Sequence, residues 1–397
     1  MEQTPQALIT DPTGVFAFLA AIVAAVFWVS GIPRFKKLFE VVPPVIYVYF
    51  LPMLATTAGI TPSESPLYDW TVPYLLLFAL LMLMVSVDLR NVVRLGPVAL
   101  VMVVAGTVGI IIGGPISYML FGGMLPADAW QGFAALSGSW IGGTANMAAI
   151  AESVGTSADA LGPVVVVDTV VGYGWMGVLI ALVGFQERFD RRTNARTEIV
   201  EWTNQQVAGF QSEKRPLTLR DAVVMIGFGL ALSVLAERLG GLLPSVGDPT
   251  IISPTTWAVL IVVTGGLALS LTRLRQLESA GASHLGYVAL YLMLAGIGAT
   301  ADLRAVLDAP VYLLAGVVWI SIHLIILIVV ARLVRAPFFF VATGSMANIG
   351  GVASAPVVAG VYNKAMAPIG LLMAVAGYIL GIYGATACAW LLGLLAP

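Results

Sequence analysis

Charge is what this chain of 397 residues has least of. Asp, Glu, Lys and Arg make up 10% of it, against about a quarter in an ordinary soluble domain. That scarcity excludes the soluble globular class, and 59% apolar residues with a mean hydropathy of +0.97 place the chain in lipid. A formal net charge of -2 leaves neither a basic surface for nucleic acid nor an acidic tail. Cysteine is nearly missing: the single Cys388 lies in a long apolar run, so no disulfide framework or thiolate metal site is available. There is no nucleophile beside a base, no metal-ligand cluster and no phosphate loop, so neither an enzyme nor a resident cofactor is expected. The first residues, MEQTPQALITDPTG, carry acids but no Lys or Arg ahead of the first apolar run, the wrong polarity for a cleaved signal peptide. That run reads as a retained span.

Long hydrophobic runs are what the chain does have. They cover about 14–32, 43–60, 71–87, 96–121 and 161–185 and then, after a polar stretch, 222–243, 254–272, 284–301, 309–331 and 366–395. Each is near the ~20 residues a spanning helix needs. Two further segments, 130–155 and 338–362, are rich in Gly and small residues and are interrupted halfway by polar side chains. They read either as spans with an unwound centre or as hairpins that enter and leave on one side.

Positive charge separates these topologies. With an outer N-terminus and two hairpins, seventeen of the nineteen Lys and Arg are cytoplasmic, all but Arg238 and Arg304; with two crossings, only eight are. The hairpin arrangement makes the linker 187–219 cytoplasmic and puts both termini outside. Five spans per half then invert 220–397 relative to 1–186. The expected fold is an all-α polytopic membrane protein, an inverted repeat of five spans and one hairpin per half.

Internal similarity supports the same division. Asp88-Leu89-Arg90 near the end of the third span matches Asp302-Leu303-Arg304 near the end of the eighth. GSWIGGTANMAAIAESVG (138–155) matches GSMANIGGVASAPVVAG (344–360), and Pro163 and Gly172-Tyr173 align with Pro368 and Gly377-Tyr378 at one offset.

The two broken segments are the candidate site. Glycine lets the chain turn at membrane depth and leaves backbone groups free, which is tolerated where protein or a wet cavity satisfies them. Helix N-termini there attract carboxylates, and free carbonyls suit sodium. The expected substrate ligands are Ser139, Gly142, Gly143, Thr144 and Asn146 in the first tip and Ser345, Asn348, Gly350, Gly351 and Ser354 in the second, with Tyr173 and Tyr378 beside them. The alternative is that such runs are close-packed helix interfaces. Asp168, inside PVVVVDTVVGYGW, is costly in lipid unless paired or functional. It reads either as a ligand for a coupling sodium ion or proton, with Thr169, Asn146 and Asn348, or as a structural hydrogen-bonding acid. Its repeat partner is Met373. Glu152 is a weaker candidate of the same kind. Asp88 and Asp302 read as caps and interfacial anchors, His323 as a packed hydrogen-bonding group, and Trp28, Trp70 and Trp257 as interface belts.

With its paired Gly-Ser and Gly-Gly segments and repeated Asp-Leu-Arg, the chain resembles over nearly its whole length the YjcL-like family of bacterial membrane proteins. More remotely, five spans plus one glycine-rich hairpin per half is similar to the bacterial sodium/glutamate symporters and sodium/citrate carriers. That remoter resemblance implies a sodium-coupled elevator mechanism in a homodimer of the cell (inner) membrane. It also implies scaffold spans 14–60 and 222–272 and a transport core of 71–185 and 284–395. GSWIGGTAN and GSMANIGGVAS differ from the tips of the glutamate carriers, so glutamate specificity does not carry over. The expected function is symport of a small organic anion, amino acid or peptide-like solute. A monovalent cation/proton antiporter and a channel or receptor-like subunit remain the alternatives.

Overall fold

In a computed structural model the protein is described over residues 7–207, 215–247, 249–301, 309–363 and 366–396, and these residues form helices with no strand among them. In the first half the main helices are α1 (Pro12–Ser30), α2 (Pro44–Thr57), α3 (Pro66–Val85), α4 (Gly96–Phe121), α5 (Ala129–Gly142), α6 (Thr144–Ser153) and α7 (Ala158–Ala181). In the second they are α8 (Leu219–Gly241), α9 (Pro254–Ser270), α10 (Ala282–Thr300), α11 (Ala309–Val334), α12 (Phe338–Ile349), α13 (Gly351–Tyr362) and α14 (Ala367–Gly393). Helix is what an apolar chain in hydrocarbon must adopt, because it satisfies every interior backbone group within the segment. The starts are marked in the sequence: Asp11, Ser65 and Ser157 cap α1, α3 and α7, and Thr218 and Ser253 form capping boxes on α8 and α9.

Among the described residues eight helices are long and apolar enough to cross a membrane. The two remaining expected spans, α2 and α9, are shorter and each forms a bent pair with a neighbouring segment; α9 turns through 95° into Arg273–Ala280.

Both interrupted segments fold back on themselves. In the first, Gln131 near the start of α5 donates to the Val154 carbonyl at 2.7 Å, and the Thr156 hydroxyl donates back to the Gln131 carbonyl at 3.2 Å. Gly138 permits the close approach, since a Cβ there would lie 2.6 Å from the Asn146 carbonyl oxygen. In the second, Phe338 at the start of α12 and Tyr362 at the end of α13 bring their rings to 6.2 Å. The bases lie at opposite ends of α7. Ser157, its N-cap, donates to Asp128 at 2.8 Å, whereas Asp190, just beyond it, accepts from the Phe338 amide at 2.8 Å. The hairpins therefore enter from opposite ends of the bundle.

Buried apolar contacts sort the helices into two groups. One cluster unites α1, α3, α8, α9 and α10, and Ala145, Ala148 and Ala149 of α6 and Ile382 of α14 pack into it. Two others unite α4, α5, α6, α7, α11, α12, α13 and α14, while α2 contributes Val48 to the first group and Tyr49 and Met53 to the second. Residues 66–85 and 282–300 share the first cluster with α1, α8 and α9 as well as with α6; the sequence analysis assigns 71–185 and 284–395 to the transport core. Within the second group α4 and α11 approach through Gly106, Gly109 and Gly113, against which His323 and Trp319 lie. Three side chains stitch this pair to backbone carbonyls: Ser117 to Ala315 at 2.7 Å, Trp319 to Ile110 at 2.9 Å and His323 to Gly106 at 2.9 Å.

Candidate functional site

Between the two groups lies a cavity of about 990 Å³. One wall is the meeting of both hairpin tips with the middle of α7 and α14; the other is α1, the segment around Pro43 and Pro44, and the first half of α10. Of the residues expected from sequence, Ser139, Gly143, Thr144, Asp168, Thr169, Tyr173, Gly350, Gly351, Ser354 and Tyr378 line this one space.

Each tip is a glycine turn followed directly by a helix start. Gly143 has φ +82° and ψ 179°, a region open essentially to glycine alone, and Gly351 has φ +58°. The α6 and α13 N-caps are Gly143 and Gly350, and no side chain caps either helix. The Val352 amide in the first turn of α13 nevertheless donates to the Tyr378 hydroxyl, and both helix starts bring partial positive charge to the cavity wall. Tyr378 is set between the tips: a Cβ on Gly143 would come 2.9 Å from its ring and one on Gly351 3.5 Å. Its hydroxyl meets that of Tyr287 on α10 at 3.1 Å, a bond that crosses between the two groups.

Among the described lining residues Asp168 is the one carboxylic acid, and none is Lys or Arg. Ser139 donates to its Oδ1 at 2.9 Å. Thr169 spends its proton on the Val165 carbonyl at 3.0 Å, leaving its oxygen lone pairs as acceptors only. A lone carboxylate facing hydroxyl and backbone oxygen is the donor set of a hard monovalent cation or of a proton carrier.

Gly142, Asn146, Ser345 and Asn348 lie behind this wall. Asn146 is buried, pressed between Gly142 and Gly381, and its Nδ2 donates to the Gly142 carbonyl at 3.0 Å and the Tyr378 carbonyl at 3.4 Å. Its Oδ1 has no partner among the described residues. Asn348 reaches α4: with its amide nitrogen donating to the Val103 and Gly344 carbonyls at 3.3 and 3.1 Å, its oxygen accepts from Thr107 at 3.0 Å. Ser345 is held at 2.8 Å by Trp175 Nε1, which donates to it, and at 2.9 Å by His323 Nε2. Because His323 Nδ1 must donate to the Gly106 carbonyl, its Nε2 is the acceptor of the Ser345 proton. His323 is thus a satisfied, fully buried link in the helix packing.

Glu152 sits on the returning arm of the first hairpin and does not line the cavity. Asp88 caps the short helix Leu89–Val93 and pairs with Arg275. Asp302, Leu303 and Arg304 lie outside the described residues.

The second wall escaped sequence reading. His284, Tyr287 and Tyr291 line the cavity from α10, with the Tyr287 and Tyr291 rings 6.3 Å apart and Tyr291 edge-on to Phe27 of α1 at 4.8 Å. The signal was present as a polar aromatic stripe at positions 284, 287 and 291 in an otherwise apolar run, which is one helical face.

The comparisons agree with the membrane reading. The uncharacterized membrane protein YjcL of Bacillus subtilis (strain 168) is 25% identical over 343 residues, 84% of this chain and 86% of that protein. The family described as "Protein of unknown function (DUF819)" matches residues 17–395. A multi-pass, all-helical membrane chain with two glycine hairpins meeting at one acidic cavity is therefore a member of the DUF819 family.

Proposed function

We propose that this protein is a secondary active transporter that couples sodium to the movement of a small organic anion, amino acid or peptide-like solute by an elevator motion. The observation that carries the reading is the convergence of both hairpin tips and Asp168 on one cavity at the seam between two helix groups. An inverted repeat accounts for that convergence: two hairpins of matched sequence entering from opposite ends place their tips at the same depth. The seam accounts for motion, since a group that carries the site past a fixed one alternates its access.

The lining narrows the solute. With Asp168, His284 and no Lys or Arg among the described lining residues, two helix starts offer partial positive charge for a single carboxylate, and a dicarboxylate would leave charge uncompensated. Most of the remaining wall is apolar or aromatic, from Ala20, Val23 and Phe27 to Tyr291, which favours a solute with an apolar body. Sodium on Asp168 would offset the acid that such an anion must approach. The cavity runs from the tips toward Phe39, Pro43 and His284, on the side to which positive charge assigns the cytoplasm, so the proposed state is inward-facing. The cell (inner) membrane, outer termini, cytoplasmic linker and homodimer belong to the same proposal.

A second reading draws on the same Asp168: a monovalent cation/proton antiporter with no organic substrate. Thermal unfolding of the purified protein across sodium, pH and a panel of amino acids, monocarboxylates, dicarboxylates and dipeptides separates the two, because a ligand of the folded state raises apparent stability. Symport requires a solute effect that needs sodium and is lost in Asp168→Asn. Stabilisation by sodium or pH alone, lost in the same variant, would replace it with the antiporter. The topology is tested apart from this by labelling a cysteine placed at Thr193, which must be inaccessible from outside intact cells.

A further inference from the structure

A second recess, of about 460 Å³, opens where α9 ends and the chain turns through 95° into Arg273–Ala280. Its lining carries three guanidinium groups, those of Arg90, Arg273 and Arg275, against one carboxylate, that of Asp88. The carboxylate is already committed: it pairs with Arg275 and accepts from the amide and side chain of Asn91. Arg90 and Arg273 are exposed and have no partner among the described residues, so the recess keeps two uncompensated positive charges. Beside them Leu271 and Leu274 are 59% and 40% exposed. A segment that turns across the end of a spanning helix and presents Arg and Leu side by side has the composition of one lying at the lipid headgroup level. Positive charge places that level on the cytoplasmic side, the leaflet surface richest in anionic lipid.

We propose that this recess binds the phosphate of an anionic phospholipid, with Arg90 and Arg273 taking the phosphate oxygens and Leu271 and Leu274 lying along an acyl chain. The planar fork of arginine matches phosphate with two parallel hydrogen bonds, and two such groups over one recess define a built anion position. A soluble phosphate compound shares the headgroup chemistry, but it would make no use of the two exposed leucines. The occupant touches the segment that joins α3 to α4, one of the strands of chain that pass between the two helix groups.

The test is thermal unfolding of the purified full chain in detergent with added phosphatidylglycerol, phosphatidylcholine or inorganic phosphate, for the wild type, Arg90→Gln/Arg273→Gln and Arg90→Lys/Arg273→Lys. Phosphatidylglycerol should raise the melting temperature where phosphatidylcholine does not. The glutamine pair should melt as wild type without lipid and need at least about tenfold more phosphatidylglycerol for the same shift. If the glutamine pair fails to fold, the lysine pair carries the test: it keeps the charge and must still respond, at higher lipid concentration. Equal shifts from both lipids, or a phosphatidylglycerol shift untouched in the variants, overturn the proposal. An equal shift from inorganic phosphate that the variants abolish overturns the lipid assignment in favour of a soluble phosphate ligand.

Discussion

Both hairpins carry Gly-Ser ahead of their tips, yet the two serines do different work. Ser139 donates to Asp168 at the cavity, while Ser345 is tied between Trp175 and His323 inside the second helix group. The helices that follow differ in the same way. The position that is Asp168 in α7 is Met373 in α14, and the Met373 methyl group packs over Gly344, where an added Cβ would lie 3.3 Å from it. One half presents a carboxyl group and the other a thioether at positions matched in sequence. Matched sequence blocks can therefore supply two similar helix starts to a cavity to which, of the two matched positions, only Asp168 brings a carboxyl group.

The comparison can be broken most forcefully at the tips. Gly143→Ala should destabilise the protein by about 3 kcal/mol, because its φ and ψ exclude a side chain and its Cβ would press on Tyr378. Gly351→Ala, at a milder left-handed φ with ordinary contact to the same ring, should cost about 1 kcal/mol; equal losses by chemical unfolding would mean the tips are equivalent after all. Between these, Ser345→Ala should cost about 2 kcal/mol, since it strands both Trp175 Nε1 and His323 Nε2. Ser139→Ala should cost less in stability yet shift any sodium dependence, as its partner is in the cavity. Met373→Leu should change stability by under about 1.5 kcal/mol and leave the sodium response intact, against its loss in Asp168→Leu. The smallest effect is expected for Tyr287→Phe, about 0.6 kcal/mol, the size of one hydrogen bond between membrane helices.

Much of this architecture was legible in the chain. Runs of lipid-soluble residues mark spans because backbone and hydrocarbon leave no alternative, and the paired Gly-Ser and Gly-Gly blocks marked both hairpins and their turns. Asp168 stands out for its cost at depth and Tyr173 and Tyr378 for their repeated Gly-Tyr match, and all three line the cavity. Hydropathy encodes depth, however, and says little about neighbours. That is why α3 and α10, as apolar as the rest, gave no sign that they pack with α1, α8 and α9. Asn146 and Asn348 are expected as ligands from residue type; in the structure their amide nitrogens donate to backbone carbonyls, those of Gly142 and Tyr378 for Asn146 and those of Val103 and Gly344 for Asn348. Thr107, which donates to Asn348, and Trp175, which donates to Ser345, carry no local pattern at all.

The order of the helix groups along the chain has a bearing on biosynthesis. The sequence enters the first group with α1–α3, passes to the second with α4–α7, returns for α8–α10 and finishes in the second with α11–α14. Each group is thus woven from both halves of the sequence, and the first hairpin finds its closing surface, at Gly377 and Gly381, only on α14, the last of these helices to be made. Until then a glycine-rich turn with free amides waits in the membrane without its partner. Chains halted before α14 should accordingly be the ones recognised and removed by membrane quality control.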